Sequence, residues 1–181
     1  FRGQPTLVSI FNVAAGIAAV PGTPIERQSY NDLSLDADGV VRRDLVHVTG
    51  QDEATVAFPL RVLEVATGDR SLRDALDAGT NPGPWLSADG GGYHNEIDAG
   101  LGLQRLLRFR EPRSYATYTL GEVVDGAVPE DILRDRVVLI GSTAPSLRDL
   151  FEVPHTRFDR GESLFTISGV EVHANRLASL M

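Results

Sequence analysis

Runs of apolar residues alternate with Gly- and Pro-rich breaks along this chain, and their spacing predicts both strands and helices. A short β-branched run predicts a buried strand at residues 6–11. Val40–Val41 and residues 45–48 predict further strand segments, and residues 104–109 another. Pro59 suits a first helical turn and Gly68 the position past a last one, which predicts a helix over residues 59–66.

Three further helices are predicted from their end signals. Ser71 is expected to be the N-cap of a short helix that stops at Gly79. Thr119 and Glu122 have capping-box spacing before a short helix that ends at Gly126. Residues 170–181 place apolar side chains along one face, which predicts a terminal helix.

The clearest predicted strand covers residues 137–140, because Val-Val-Leu-Ile is a continuous apolar run of the kind found in buried strands. Strands that alternate with helices predict an α/β fold. We expect a layered domain with a central, mostly parallel or mixed sheet flanked by helices.

Composition narrows the class of protein. The 181 residues match one domain, and 42% of them are hydrophobic, which is enough for a core. All 17 cationic residues are arginine, and 25 acidic residues give a net charge of −8, which argues against nucleic acid as a partner and against a polybasic membrane-surface binder. Without cysteine, disulfides and thiolate metal sites are excluded. No apolar run reaches the roughly 18 residues that a membrane span needs.

The turn after the predicted strand is the first candidate for chemistry. Gly141 permits close backbone approach, and Ser142 and Thr143 offer hydroxyl groups that an anion could bind. One alternative to an anion site is a plain turn of small residues with no binding role. Another is a hydrolase in which Ser142 is paired with His155 or His173, although a Gly-x-Ser-x-Gly elbow is absent.

Two other patterns are better explained structurally. The four histidines lack the spacing of helical zinc sites, so no metal is predicted. Asp36, Asp38 and Gly39 resemble the start of a calcium loop, but Arg42 and Arg43 follow where further ligands would be needed. We therefore expect a tight turn in which these acids pair with the two arginines.

Several motifs in order resemble one family. They are Asp36-x-Asp-Gly-x-x-Arg-Arg, the Ile-Gly-Ser-Thr-Ala run at 140–144, the segment from Asp149 to Pro154, and Gly-Val-Glu-Val-His-Ala-Asn at 169–175. Together they resemble the type-two CHASE domain, the cyclase- and histidine-kinase-associated sensory extracellular domain. The resemblance runs from about residue 33 to residue 181.

The resemblance implies the extracytoplasmic sensor module of a membrane-bound bacterial receptor, non-catalytic in itself. Transmembrane helices would flank it, and a cytoplasmic output domain would follow: a class III adenylate or guanylate cyclase by preference, or a histidine kinase, a Ser/Thr kinase or a diguanylate cyclase. We expect residues 1–181 to form one sensory domain that lacks the family's N-terminal portion, since the chain opens at Phe1 after the family's first strand.

The resemblance also suggests which residues bear on sensing. Its most characteristic polar positions could serve either structure or a small-molecule ligand, and we expect no cofactor. As the candidate ligand-binding residues we take Arg42, Arg43, Arg110, Gly141, Ser142, Thr143, Asp149 and His173. A homodimer is expected, and a dimerisation module without a ligand is the remaining alternative.

Overall fold

A computed structural model describes residues 8–11, 16–48, 56–80, 86–87, 102–111, 113–155 and 166–181. Its strands are β1 (Ser9–Phe11), β2 (Gln28–Tyr30), β3 (Arg43–Val48), β4 (Leu86–Ser87), β5 (Gly102–Leu106), β6 (Leu150–Phe151) and β7 (Ile167–Ser168). Its helices are α1 (Phe58–Thr67), α2 (Ser71–Asp77), α3 (Leu120–Val124), α4 (Glu130–Leu133) and α5 (Gly169–Leu180).

The strands form three small sheets. β1 and β2 pair in parallel, β5 lies between β3 and β4 in an antiparallel sheet, and β6 pairs with β7 antiparallel. The mixed α/β content is as predicted. A layered arrangement around one central, mostly parallel sheet is not confirmed by the residues described.

The helix-end signals are mostly confirmed. α1 ends at Gly68, whose φ of 70° is the left-handed conformation that glycine adopts at little cost. Thr119 and Glu122 form the predicted capping box at the start of α3. The prediction for Ser71 was wrong. Ser71 is the first residue of α2, and its N–H donates to the Asp69 carboxylate at 2.8 Å.

The predicted buried strand at residues 137–140 was also wrong. Val137, Val138 and Ile140 are 44%, 52% and 85% exposed, and the segment belongs to no strand. Across the stretches described, no backbone hydrogen bond joins it to another segment. An apolar run becomes a buried strand only where the fold places a neighbouring strand beside it, and none of the described strands lies there.

Helix α5 connects the two hydrophobic cores. One core contains Tyr30, Val46 and Leu60, and Leu180 near the end of α5 packs against it. The second contains Val41 and Val153, together with Val172 from the first half of α5. A movement of α5 would therefore displace side chains in both cores, since packed interiors leave little free volume. No helix in the ranges described is long and apolar enough to cross a membrane.

Candidate functional site

The most heavily buried charges lie between β3 and α5. Arg176 of α5 and Asp44 of β3 are both fully buried, and the Arg176 Nε donates to Asp44 Oδ1 at 2.7 Å. The other carboxylate oxygen, Oδ2, is buried and has no hydrogen-bond partner among the residues described. Two charges removed from water in this way depend on each other, because losing either leaves the other uncompensated.

His173 extends this ion pair toward α1. Its Nδ1 lies 3.0 Å from Arg176 Nη1, and because arginine only donates, Nδ1 is the acceptor and the ring proton belongs on Nε2. The ring meets Phe58 edge-on at 5.1 Å. Burial, with a smaller effect of the Arg176 charge, lowers the pKa of His173 to about 3. The imidazole is therefore neutral at pH 7, which fits its acceptor role.

On its other side, α5 holds a second segment, residues 108–111 and 113, through a row of side chains. The backbone N–H groups of Arg108, Arg110 and Arg113 donate to Ser179 Oγ at 3.2 Å, Asn175 Oδ1 at 2.9 Å and Glu171 Oε1 at 2.7 Å. The three acceptors are four residues apart, so they stand one above another on a single helix face. The segment runs antiparallel to α5, and its backbone N–H groups are hydrogen-bonded to side chains of the helix.

Asn175 is the central acceptor of this row. It is 1% exposed, its Oδ1 also accepts the Tyr115 hydroxyl at 3.2 Å, and its Nδ2 donates to the Glu171 carbonyl at 2.9 Å. Burial raises the pKa of the Tyr115 phenol, which keeps it protonated as this donor. The Asn and Glu of the 169–175 motif therefore fix a loop to the helix.

The predicted pairing of acids and arginines at the tight turn is confirmed. Arg42 donates to Asp36 at 2.9 Å and to both oxygens of Asp38 at 2.8 and 2.9 Å, while the buried Arg43 lies 3.1 Å from Asp36 and donates to Gln104 at 3.2 Å. Hydrogen bonds to Asp38 and then Asp36 raise the pKa of the Arg42 guanidinium. Both arginines thus have carboxylate partners within the chain.

Gly141 and Asp149 meet at the first turn of α5. A Cβ at position 141 would lie 2.6 Å from the Val170 Cβ, so only glycine lets the chain approach this closely. The Asp149 carboxylate lies against the Cα of Gly169, whose N–H donates to the Asp149 carbonyl at 2.9 Å. Burial raises the pKa of Asp149. Gly141 and Asp149 therefore both pack against the first turn of α5.

The hydroxyls after Gly141 have no catalytic partner in the described part of the chain. Ser142 Oγ accepts from the Ala144 N–H at 3.2 Å, within the turn itself. His155 packs edge-on against Phe109, and His173 contacts Arg176. Since no described histidine hydrogen-bonds to Ser142 or Thr143, the hydrolase alternative loses its support.

The eight candidate ligand residues lie in three places rather than one pocket. Arg42 and Arg43 are at the acidic turn, and Arg110 is on the segment bound to α5. The third group lies at the first half of α5 and consists of Gly141–Thr143, Asp149 and His173. A ligand-binding role for them stays a prediction. In the ranges described, no three His, Asp or Glu side chains are grouped so as to hold a metal ion.

Sequence reasoning missed the ion pair at the centre of the fold. Asp44 lies just before the predicted strand segment at residues 45–48, where a lone acid is usually exposed. Arg176 is four residues after the buried Val172, so helical spacing did place it on the buried face. The available signal was a charge on the apolar face of a helix, together with an acid beside a predicted strand.

Comparison with known proteins gives one match. The model of the CHASE2 domain family matches residues 2–181. No curated protein and no solved structure matches the chain. CHASE2 is an extracellular sensory domain family of signalling receptors and is not catalytic. Matched over nearly its whole length, this chain belongs to the CHASE2 domain family.

Proposed function

We propose that this chain is the extracytoplasmic sensor module of a membrane-bound bacterial receptor and that α5 carries its conformational signal toward a cytoplasmic output domain. The family supports the sensory role and the extracytoplasmic location. Among outputs, a class III adenylate or guanylate cyclase is favoured over a histidine kinase, a Ser/Thr kinase or a diguanylate cyclase. The preference rests on family association.

The observation that carries the proposal is the double attachment of α5. One side is joined to β3 through the buried Arg176–Asp44 pair, and the other holds residues 108–111 and 113 through Glu171, Asn175 and Ser179. A ligand that moves β3 or the bound segment would therefore move the helix as well. Signalling of this kind needs two arrangements that a ligand stabilises to different extents.

The turns around α5 suggest where a ligand would act. Arg110 and Tyr115 form a cation–π contact at 5.5 Å beside Asn175, and both are accessible to solvent to some degree. A carboxylate or phosphate is the ligand class that an arginine recognises best. Binding at Arg110 would pull directly on a segment hydrogen-bonded to α5.

Reading the gene on both sides of this segment and fusing reporters to the natural protein would test the proposal. We expect flanking membrane spans and an output domain. Alkaline phosphatase inserted near Ile17, which is 60% exposed, should be active because that enzyme matures outside the cytoplasm, whereas a green fluorescent protein there should be dark. An inactive phosphatase in a correctly expressed fusion, or a gene without spans and output domain, would contradict the proposal.

A further inference from the structure

The stretch from α3 to residue 148 exposes far more apolar surface than the rest of the described chain. Six aliphatic side chains in it are at least 44% exposed: Leu120, Val124, Val137, Val138, Ile140 and Leu147. At roughly 100 Å² for a complete aliphatic side chain, they present on the order of 400 Å² of apolar surface. We call residues 120–147 the apolar segment.

This area fits an interface of ordinary size. A standard protein–protein interface covers about 800 Å² on each partner, of which about 60% is apolar. The backbone at residues 137–140, which lies in no strand, adds carbonyl and N–H groups without hydrogen bonds to other described segments. Backbone groups of this kind can pair with another chain.

Charge complementarity identifies the partner. Three aspartates along the apolar segment, Asp125, Asp131 and Asp135, form no ion pair with any described residue. Arg108, Arg110 and Arg113 are exposed and likewise form no ion pair within the ranges described. We call these three the arginine strip. The arginine strip is a local region of positive charge in a chain whose net charge is −8.

We propose that the apolar segment docks onto a second copy of this chain, with its aspartates facing the partner's arginine strip. A two-fold axis forms each such contact twice, because both copies carry both surfaces. The apolar side chains then supply the buried area, and the charges set the orientation. The inference concerns the domain itself and holds whether or not an output enzyme follows.

Sedimentation velocity and light scattering on the 181-residue chain, from about 1 µM to about 1 mM, measure the oligomeric state. We expect a monomer–dimer equilibrium. Ile140→Asp should weaken dimerisation at least roughly tenfold, since it buries a charge at the contact. Ile17→Asp is the matched control, because Ile17 is 60% exposed outside the apolar segment and should leave the dimer unchanged.

A charge swap tests the partner surface. Arg108→Glu/Arg113→Glu, which leaves Arg110 intact, and Asp131→Arg/Asp135→Arg should each dimerise poorly, and an equimolar mixture should form the heterodimer. A monomer throughout the concentration range overturns the proposal, as does an Ile140→Asp variant that dimerises normally. Loss of the far-UV circular dichroism of Ile140→Asp at monomer concentrations would show that Ile140 is covered within its own chain, which also overturns it. Failure of the mixture to associate overturns the role of the arginine strip.

Discussion

Replacing Arg176 by methionine should be among the most damaging single substitutions in this domain. The guanidinium is fully buried, donates to Asp44 and also donates to the Nδ1 of His173. Without it, the Asp44 carboxylate stays buried with no hydrogen bond to either oxygen from the described residues, because Oδ2 already lacks such a partner. Breaking a buried ion pair from one side costs about 3–5 kcal/mol of unfolding free energy. That is a large part of the roughly 5–15 kcal/mol that holds a typical domain together.

A double-mutant cycle by urea unfolding at pH 7 isolates the pair. Asp44→Leu alone should cost a similar amount, but Asp44→Leu/Arg176→Met should cost at least about 2 kcal/mol less than the two single losses together. Arg134→Met is the matched control, because Arg134 pairs with Glu130 at 2.8 Å on the exposed surface, where such pairs contribute about 0–1 kcal/mol. Additive single losses, or a loss for Arg176→Met as small as that for Arg134→Met, would show that the buried pair does not stabilise the domain in this way.

Three further predictions concern α5 and its contacts. The pKa of His173 is about 3 in the folded chain and 6.5 ordinarily, so the unfolded chain binds the proton more tightly. The contribution of this residue to the unfolding free energy is therefore complete above pH 6.5 and falls by up to about 1.4 kcal/mol per pH unit below it. His173→Gln should remove this part of the slope between pH 6.5 and 5, and equal slopes in urea titrations of both proteins would contradict the assignment. Asn175→Ala should cost about 1–3 kcal/mol and speed amide hydrogen exchange at residues 108–111 and 113–115, more than Ser179→Ala does, because it takes away the acceptor of the Arg110 N–H and of the Tyr115 hydroxyl. Protection unchanged from wild type would show that the segment is held elsewhere. Gly141→Ala should cost about 1–3 kcal/mol in thermal unfolding, because its Cβ would meet Val170, and Val170→Gly in the same chain should recover part of that loss; a fully stable Gly141→Ala would mean that the two segments are not in contact.

Local chemistry made much of the structure predictable. Gly68 and the Thr119–Glu122 capping box set helix ends through contacts within one turn, and both are where the sequence placed them. The pairing of Arg42 with Asp36 and Asp38 was predictable for the same reason, since its partners lie within six residues. Short-range signals of this kind do not depend on the rest of the fold.

What could not be predicted depends on distant partners. The run at residues 137–140 has the composition of a buried strand, but composition does not supply the neighbouring strand that would bury it. The Arg176–Asp44 pair joins residues 132 positions apart, and the Asn175–Arg110 bond spans 65. The candidate ligand residues were grouped by family motif, and the motif residues of α5 turn out to hold structural contacts on different faces of one helix.

The central claim is that α5 couples the sensory domain to its output, and product formation by the natural full-length receptor in membranes measures this most directly. The rate for Asn175→Ala, which removes the acceptor of the Arg110 N–H on α5, should be compared with that for wild type and for the surface control Ile17→Asp at equal receptor amounts. We expect a changed basal rate for Asn175→Ala and an unchanged one for Ile17→Asp. An unchanged rate in an Asn175→Ala receptor whose segment exchanges faster would contradict the central claim.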